Sequence, residues 1–476
     1  MHKQILGYLP ANLVPAAVSF LMIYAYTRVL TPGSFGAYSF VFSVVAFVQS
    51  SVYDAIPMAV MRFYPASAVA GRKTAFLREA SALFYAVALG IVALGGIALW
   101  LIPLRPDEVS FVWMGLPLLV LRSAVGMNQA VNRSSNLMAR FNWIECAHAV
   151  LGLGLGLLFI LLLGPTAKAV ILGLLVAALI CTLTDSRLMV ASFPFRAGWV
   201  DSTEIMRIVN FVWPLVVAAL TASLLQLSDR FVVGGLGSAE MLGLYTVAYS
   251  LVERPTNLIC TSISTATFSM AVQALEQHGL QAGSIQAGKN GAALLALSLP
   301  ACVGLAMTSH SIATVVVGSA YQAGVAALIP IMCFTALFRG VRAHFVDHAF
   351  HLARRPRLLL WSYAPAAAAN IMLNLVLVPR YGMMGAAWSA LVCQAGATTA
   401  SWFIGRRVFP LWLPAGPVLG IFGAVISMAI VLWVVEFPGT WLGLIGAVVL
   451  GLAVYGFVSL LLNVGGIRSF VRVRLA

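Results

Sequence analysis

The chain has 476 residues, of which 61% are hydrophobic and only 9% are charged. A soluble domain carries about 25% charged residues, so this composition excludes a chain that covers its cores with polar surface and indicates a membrane protein. The formal net charge of +14 would suggest nucleic acid in a soluble protein. Here the basic residues lie in short loops beside apolar segments, where anionic lipid headgroups and membrane topology account for them, so we expect no nucleic-acid partner.

Apolar segments of membrane-spanning length recur along the whole chain. A transmembrane helix needs about 20 mainly apolar residues, and fourteen segments meet this requirement, which predicts an all-α membrane protein. No small-residue cleavage site follows the first segment, so we expect it to be retained as a helix. In chain order the approximate bounds are 10–30, 35–61, 80–103, 110–137, 144–164, 167–189, 208–228, 239–268, 290–311, 322–350, 357–378, 382–404, 416–436 and 440–463.

The basic residues gather in every second gap between these segments. With the N-terminus in the cytoplasm, they lie at inner ends about four times as often as at outer ends, as the positive-inside rule requires. The sequence therefore predicts a multi-pass protein of the bacterial inner membrane with both termini cytoplasmic. The basic residues at outer ends are Arg28, Arg105, Lys168, Arg230 and Arg380, and those within helices are Arg122, Arg254, Arg339 and Arg342.

An internal repeat relates the first six helices to the next six. The first and seventh helices end at Arg28 and Arg230, and a Gly-x-Tyr follows each, at Gly36-Ala37-Tyr38 and Gly243-Leu244-Tyr245. Each copy has an even number of helices, so the copies are parallel, a known transporter plan with the substrate between the halves. We therefore expect two six-helix lobes, 1–207 and 208–405, around a central cavity, followed by an extra helix pair and a basic tail over 406–476.

The fourth and tenth helices extend this repeat. Each carries an arginine near its middle, Arg122 or Arg339, and each is expected to end in an Ala-Arg pair, Ala139-Arg140 or Ala353-Arg354. Arginines at matched places in the two copies predict that both lobes contribute positive charge to one polar pathway.

Several motifs resemble those of the polysaccharide transporters, the Wzx-type flippases of lipid-linked oligosaccharides in the multidrug/oligosaccharidyl-lipid/polysaccharide exporter superfamily. The resemblance covers nearly the whole chain, with one departure at Thr267-Phe268-Ser269, where the family often has Leu-Phe-Pro. The motifs are Asp229-Arg230 followed by Leu242-Gly243-Leu244-Tyr245-Thr246-Val247-Ala248-Tyr249, Leu30-Thr31-Pro32-Gly33-Ser34-Phe35-Gly36-Ala37-Tyr38, Gly318-Ser319-Ala320-Tyr321, and Pro379-Arg380-Tyr381-Gly382 followed by Gly385-Ala386-Ala387.

This resemblance implies a flippase that moves a polyprenyl-diphosphate-linked oligosaccharide to the periplasmic leaflet by alternating access. It implies membrane lipids and polysaccharide polymerase or export proteins as partners, no cofactor and no covalent chemistry. Three alternatives stay open. They are a peptidoglycan-precursor flippase, a cation-coupled multidrug antiporter of the same superfamily, and a polytopic glycan ligase or polymerase. An antiporter would need acids to dominate, and a glycan enzyme typically has a large outer loop that this chain lacks.

The arginines within helices are the candidate ligands of a diphosphate, since a guanidinium offers a planar fork of donors to phosphate oxygens. The alternative is that each arginine pairs with an acid in the membrane, and the candidate acids are Asp54, Glu145, Glu253 and Asp347. The predicted diphosphate- or sugar-binding residues are Arg62, Arg122, Arg140, Arg254, Arg339 and Arg342, with Asn128 and Asn132 on the polar face of the fourth helix.

Asp54, Glu253 and Asp347 are also candidates for ion coupling. Asp54 and Glu253 each precede a proline, which permits a helix to bend. His344 and His348 have a spacing compatible with metal ligands, but the arginines that follow them favour a hydrated, anion-attracting rim, and we expect no metal. Asp229, Arg230, Gly243 and Tyr245 are expected to be structural. The six cysteines lie in apolar segments without paired spacing, which predicts buried thiols and no disulfide.

Overall fold

The computed structural model describes residues 9–101, 112–185 and 201–464, and every regular element within these ranges is helical. The helices up to the middle of the chain are α1 (Leu9–Val29), α2 (Pro32–Val69), α3 (Lys73–Leu101), α4 (Gly115–Ser134), α5 (Met138–Leu163), α6 (Ala167–Thr184) and α7 (Ser202–Leu236).

Two long helical regions in the second half of the chain are interrupted at glycine. Ala239–Met307 breaks at Gly279, where φ is 80°, and so forms α8 (239–278) and α9 (280–307). Leu359–Val408 breaks at Gly382, where φ is 57°, and so forms α11 (359–381) and α12 (383–408). Glycine has no Cβ and adopts these positive φ angles without strain. The other helices are α10 (Ser319–Leu352), α13 (Ala415–Val434) and α14 (Trp441–Leu461), with a short helix, Ser309–Val316, before α10.

The described helices confirm an all-α membrane protein with about fourteen spanning helices. Eleven helical regions of the described chain are long and apolar enough to cross a membrane, and two of these are the glycine-interrupted pairs. The remaining helix, α4, is more polar, and its buried residues include Ser123, Asn128, Gln129 and Asn132. Large apolar side chains such as Trp100, Leu161 and Leu442 are exposed on other helices. This multi-pass protein therefore presents apolar side chains to lipid and keeps a polar helix inside.

The chain forms two compact units, Met1–Phe231 and Val232–Ala476. The first unit holds α1 to α6 and most of α7, which contacts α2 through a hydrogen bond of 2.9 Å between Ser50 and Ser223 and through edge-to-face packing of Phe47 on Phe231. α7 thus packs with the first unit, although the repeat makes it the first helix of the second copy. The lobe boundaries predicted from the repeat stay a prediction.

The second unit holds α8 to α14. A core cluster that includes Cys260, Phe345 and Phe409 joins α8, α10 and the segment after α12. The extra helix pair α13–α14 packs against α9, where Val303 packs on the cluster of Met428, Leu432 and Ala447. The Tyr455 hydroxyl donates to the Ala296 carbonyl at 2.6 Å.

The same capping interaction begins four helices. Thr31, Thr166, Ser238 and Thr440 accept a hydrogen bond from the backbone N–H three residues later, which satisfies one of the free donors at the start of α2, α6, α8 and α14. Thr31 and Ser238 precede the two Gly-x-Tyr motifs by the same number of residues. The first turns of α2 and α8 therefore share both sequence register and cap geometry.

We expect Gly173→Ala to destabilise the first unit. A Cβ at Gly173 would lie 2.5 Å from the backbone of Gly156, so α5 and α6 would have to separate. Overpacking of this kind typically costs about 1–3 kcal/mol. Gly154→Ala, also on α5, meets no atom within 4 Å and is the control. Thermal unfolding of the purified variants in detergent should show a lowered midpoint for Gly173→Ala only, and equal midpoints would contradict this packing.

Candidate functional site

Arg122 lies on α4 of the first unit and is half-buried. Its guanidinium carbon stands 4.7 Å from the centre of the Phe42 ring on α2. It interacts electrostatically with Tyr38 and Asp54 on α2 and with Glu145 on α5. No carboxylate of the described residues lies within the 4.0 Å of an ion pair with this guanidinium. Arg122 is therefore attracted by nearby acids, and its donors are not committed to any one of them.

Asp54 lies where α2 departs from α-helical geometry. Gln49–Tyr53 forms a π-turn, and the Asp54 N–H donates to the Gln49 carbonyl at 3.0 Å, five residues earlier. Such single π-turns are rare and occur frequently at functional sites. Asp54 itself is exposed. The turn thus places an accessible acid in the field of Arg122.

Arg339 lies on α10 of the second unit and is ion-paired with Glu253 of α8. Its Nη1 also donates to the Tyr249 hydroxyl at 2.7 Å. Tyr249 and Glu253 are four residues apart and so share one face of α8. The geometry at Arg339 therefore agrees with the alternative in which this arginine pairs with an acid in the membrane. The partner is Glu253, whereas the neighbouring Arg254 is exposed.

Arg342, three residues further on, is almost completely buried. It lies 3.9 Å from Asp347, and its guanidinium carbon is 4.2 Å from the centre of the Tyr363 ring on α11. The Tyr363 hydroxyl donates to Asp347 Oδ2 at 2.8 Å. Arg342, Asp347 and Tyr363 therefore form a closed polar cluster between α10 and α11.

A second π-turn, Arg342–Val346, lies within this cluster, and the Asp347 N–H donates to the Arg342 carbonyl at 2.8 Å. This turn explains a one-residue difference between α4 and α10. The two helices end in the same backbone turn, with Asn136 and Arg354 both at a φ of 56°. Arg122 precedes Asn136 by 14 residues, and Arg339 precedes Arg354 by 15. The extra residue is accommodated by the π-turn, as an insertion inside a helix.

This structural register corrects one correspondence expected from sequence and reveals another. Arg140 lies in the first turn of α5, so the counterpart of Arg354 is Asn136 and the matched Ala-Arg pairs are coincidental. In the corrected register Gln129 matches Asp347, and Glu145 matches Tyr363. The Gln129 Nε2 group donates to the Phe141 carbonyl on α5 at 3.0 Å. A polar contact therefore joins α4 to α5 in the first unit, and another joins α10 to α11 in the second.

Arg140 is engaged in a separate network at the end of α6. Its Nη2 lies 2.5 Å from Asp185, whose other oxygen accepts a hydrogen bond of 2.7 Å from Asn132. Asn132 also donates to Gln129 at 3.2 Å. Burial raises the pKa of the Asp185 carboxyl, opposed by the Asn132 hydrogen bond and the Arg140 charge. Arg140 and Asn132 thus connect α4, α5 and the end of α6.

The structure places the other predicted ligands in different surroundings. Asn128 is buried, and neither its Oδ1 nor its Nδ2 has a hydrogen-bond partner among the described residues. Arg62 is exposed near the end of α2. His348 packs on Phe268 with ring centres 4.5 Å apart, and its Nε2 lies 3.3 Å from Ser264 Oγ. His348 is therefore part of the contact between α8 and α10.

The sequence profile of a family described as "Polysaccharide biosynthesis protein" matches residues 25–326, more than half of the chain. The chain belongs to this family. The match confirms the resemblance that the Asp-Arg and Gly-x-Tyr motifs indicated. No curated protein matches the sequence of this polysaccharide biosynthesis protein.

Solved structures share the fold of this polysaccharide biosynthesis protein. The lipid II flippase MurJ in an inward closed conformation superimposes with a TM-score of 0.79 at 14% identity, covering 96% of this chain and 99% of that chain. A MATE-family multidrug resistance transporter in an inward-facing conformation gives 0.65 at 15% identity, covering 84% and 97%. A MOP-superfamily transporter from Pyrococcus furiosus, reported to have a binding pocket of reversed polarity, gives 0.56 at 13% identity, covering 84% and 92%. These identities show a common fold.

The motif residues of this polysaccharide biosynthesis protein have local structural contacts. Tyr245 and Asp229 are buried, and Gly243 is buried in the first turn of α8. Arg230 Nη1 donates to Ser43 on α2 at 3.5 Å. The structural role expected of Asp229, Arg230, Gly243 and Tyr245 stays a prediction, and these positions agree with it.

Tyr249 was named from the sequence only as the last residue of the motif that begins at Leu242, and Tyr363 and Asp185 were not singled out. Tyr249 had a detectable signal, because it lies one helical turn before Glu253. Tyr363 and Asp185 reach their partners across helix pairs, and no spacing in the sequence indicates those contacts.

Proposed function

We propose that this protein is a flippase of the bacterial inner membrane, which moves a polyprenyl-diphosphate-linked oligosaccharide from the cytoplasmic to the periplasmic leaflet. The observation that carries the proposal is Arg122, a half-buried guanidinium on the polar helix α4 that is not ion-paired to any described carboxylate. A charge inside a membrane protein is costly and usually functional. Membership in a polysaccharide biosynthesis family supports a glycan substrate.

The headgroup of this substrate matches the chemistry of Arg122. The lipid tail can remain in the bilayer, whereas the diphosphate must cross about 30 Å of hydrocarbon and needs a cation there. A guanidinium binds phosphate oxygens through two parallel N–H donors. We propose that Arg122 is the first ligand of the diphosphate within the membrane and that Arg339 is the second. Exposed Arg62 would receive the headgroup at the cytoplasmic surface, with Arg254 as a further cation.

Transport in this proposal proceeds by alternating access of the two six-helix lobes, with both termini cytoplasmic. Asp54, Glu253 and Asp347 are proposed to respond to the coupling ion, since each lies close to an arginine. The closed Arg342–Asp347–Tyr363 cluster and the Arg140–Asp185–Asn132 network are proposed to hold helices in place. The released oligosaccharide would pass to polymerase and export proteins.

A peptidoglycan-precursor flippase is the second candidate. The specific observation that favours it is the likeness to the lipid II flippase MurJ over nearly the full length of both chains. Both candidate substrates have a polyprenyl diphosphate, and they differ in the group that it carries. Arg122 would serve either headgroup, whereas it would repel the cation of a multidrug antiporter.

Reconstitution into proteoliposomes tests the proposal. We expect the purified protein to move a fluorescent polyprenyl-diphosphate-linked oligosaccharide between leaflets, measured by protection from a membrane-impermeant quencher. A parallel sample contains a lipid II analogue. The substrate with the faster initial rate of leaflet exchange identifies which of the two candidate functions is correct. A cationic drug is expected not to accumulate. Transport of the drug without movement of either lipid would contradict the proposal, and empty liposomes provide the background.

A further inference from the structure

The ion pair between Arg339 and Glu253 is more exposed than the neighbouring pair of Arg342 and Asp347 on α10. Its side chains are 10% and 22% exposed, whereas those of Arg342 and Asp347 are only 2% and 4% exposed. The Arg339–Glu253 pair is therefore accessible to a ligand.

We infer that the substrate headgroup and the Glu253 carboxylate compete for the Arg339 guanidinium, and that displaced Glu253 binds one proton. This inference rests on the proposed function. Binding of one headgroup would be accompanied by the uptake of one proton. Release of the headgroup would be accompanied by the loss of that proton. Flipping would then be coupled to protons by exchange at a single arginine.

The contacts of Arg339 support such an exchange. Its Nη1 is held by the Tyr249 hydroxyl, and its guanidinium carbon lies 5.4 Å from the Tyr249 ring centre. The guanidinium therefore has a second partner on α8 besides the carboxylate. A diphosphate diester carries two negative charges where the carboxylate carries one, and it binds the same fork of donors, so it can replace the carboxylate.

The surroundings of Glu253 explain why it would bind a proton once displaced. Among the described residues, the charged group that pairs with Glu253 is Arg339 of α10. On its own helix Tyr249 shares its face, and exposed Arg254 follows it. An unpaired carboxylate inside the membrane is costly, and protonation from water removes its charge. The balance is simple: the carboxylate loses one cationic partner and gains one proton.

The backbone of α8 allows the carboxylate to withdraw. Pro255 lies two residues after Glu253, within the helix. Proline lacks the N–H that would bond to the carbonyl four residues earlier, and it bends a helix at that point. α8 and α10 are in close contact beyond the pair, where a Cβ at Gly340 would lie 2.7 Å from Cys260 Sγ. Bending at Pro255 therefore changes the distance from Glu253 to Arg339 without separating the two helices there.

Calorimetric titration of the full-length protein in detergent tests the inference. The probe is a short-chain polyprenyl-diphosphate-linked sugar, whose diphosphate diester has no group that titrates near pH 7. Binding heats in two buffers of different ionisation enthalpy give the number of protons exchanged. We expect wild type to take up about one proton per ligand. Glu253→Gln should take up about none while binding at least as tightly, and Glu253→Asp should restore the uptake.

Glu276→Gln is the matched control, since Glu276 forms an exposed pair with Arg354 and should leave the uptake unchanged. Ligand binding by wild type without proton uptake would overturn the exchange while leaving the proposed flippase intact. Uptake that persists in Glu253→Gln would overturn it as well. Failure of wild type to bind the probe would overturn the proposed function and the exchange together.

Discussion

Arg122→Ala is expected to slow flipping of the polyprenyl-diphosphate-linked oligosaccharide by roughly 10- to 100-fold. A hydrogen bond to a charged group contributes about 1.5–3 kcal/mol, and each 1.4 kcal/mol is about tenfold. Since no described carboxylate is ion-paired with Arg122, its removal leaves no buried acid without its counter-ion. The loss should therefore appear in transport and not in stability.

Two further substitutions separate charge from geometry at this position. Arg122→Lys keeps the positive charge but loses the planar fork, so we expect intermediate flipping. Arg339→Ala should also impair flipping, and the double variant should be the slowest. Initial rates of leaflet exchange in proteoliposomes with equal amounts of inserted protein provide the measurement.

Arg380→Ala is the control, because Arg380 is exposed near the end of α11 and is not assigned to the substrate. Its flipping rate should equal that of wild type. Normal flipping by both single alanine variants and by the double variant would rule out the diphosphate role of these arginines.

Arg140→Ala is expected to destabilise the protein more than Asp185→Asn does. The Asp185 side chain is 0% exposed, while that of Arg140 is 34% exposed. Removal of Arg140 leaves a buried carboxylate without its cation, a change that costs about 3–5 kcal/mol in fully buried pairs. Because Arg140 reaches solvent, we expect a smaller value, about 2 kcal/mol. Asp185→Asn leaves only an arginine that water can solvate.

The change of stability with pH tests whether the Asp185 carboxylate causes the destabilisation of Arg140→Ala. Burial raises the pKa of Asp185, so the native protein binds this proton more readily than the unfolded chain does, and stability falls as pH rises through the native pKa. The Arg140 charge opposes this shift, and Arg140→Ala should raise the pKa further. The difference in unfolding midpoint between wild type and Arg140→Ala should therefore shrink as the pH is lowered.

Thermal unfolding in detergent at several pH values measures both effects. Arg207→Ala serves as the control, since Arg207 forms an exposed contact of 3.2 Å with Glu204, and such surface pairs contribute at most about 1 kcal/mol. A difference between Arg140→Ala and wild type that stays constant with pH would show that Asp185 does not carry the effect.

Much of the fold follows from apolar length and charge spacing. Fourteen segments were expected and the described helices agree, including the boundary between α11 and α12 at Gly382. The end of α8 was placed too early, at 268, because the polar residues before Gly279 lower the hydropathy while the helix continues. Hydropathy identifies the part of a helix that lies within the apolar layer. It does not identify the part of the same helix that extends beyond that layer.

The candidate site was predictable in residue type but not in pairing. Arginines within apolar segments were visible, and so were the acids that could oppose them. The choice of Glu253 for Arg339, and of Asp347 for Arg342, depends on how α8, α10 and α11 pack. Arg140 was expected to meet a headgroup, and its pairing with Asp185 depends on the contact between α5 and the end of α6. Long-range contacts of this kind leave no periodic signal in one chain.

The π-turn of α10 changes how the two halves of this chain must be aligned. Alignment software penalises gaps inside helices, and an ungapped comparison anchored on Arg122 and Arg339 pairs Asp347 with Ala130. A single gap within Arg342–Val346 pairs it with Gln129 instead. If the two halves are compared without that gap, the positions of α10 and α11 from Asp347 onwards are paired with the wrong residues of α4 and α5.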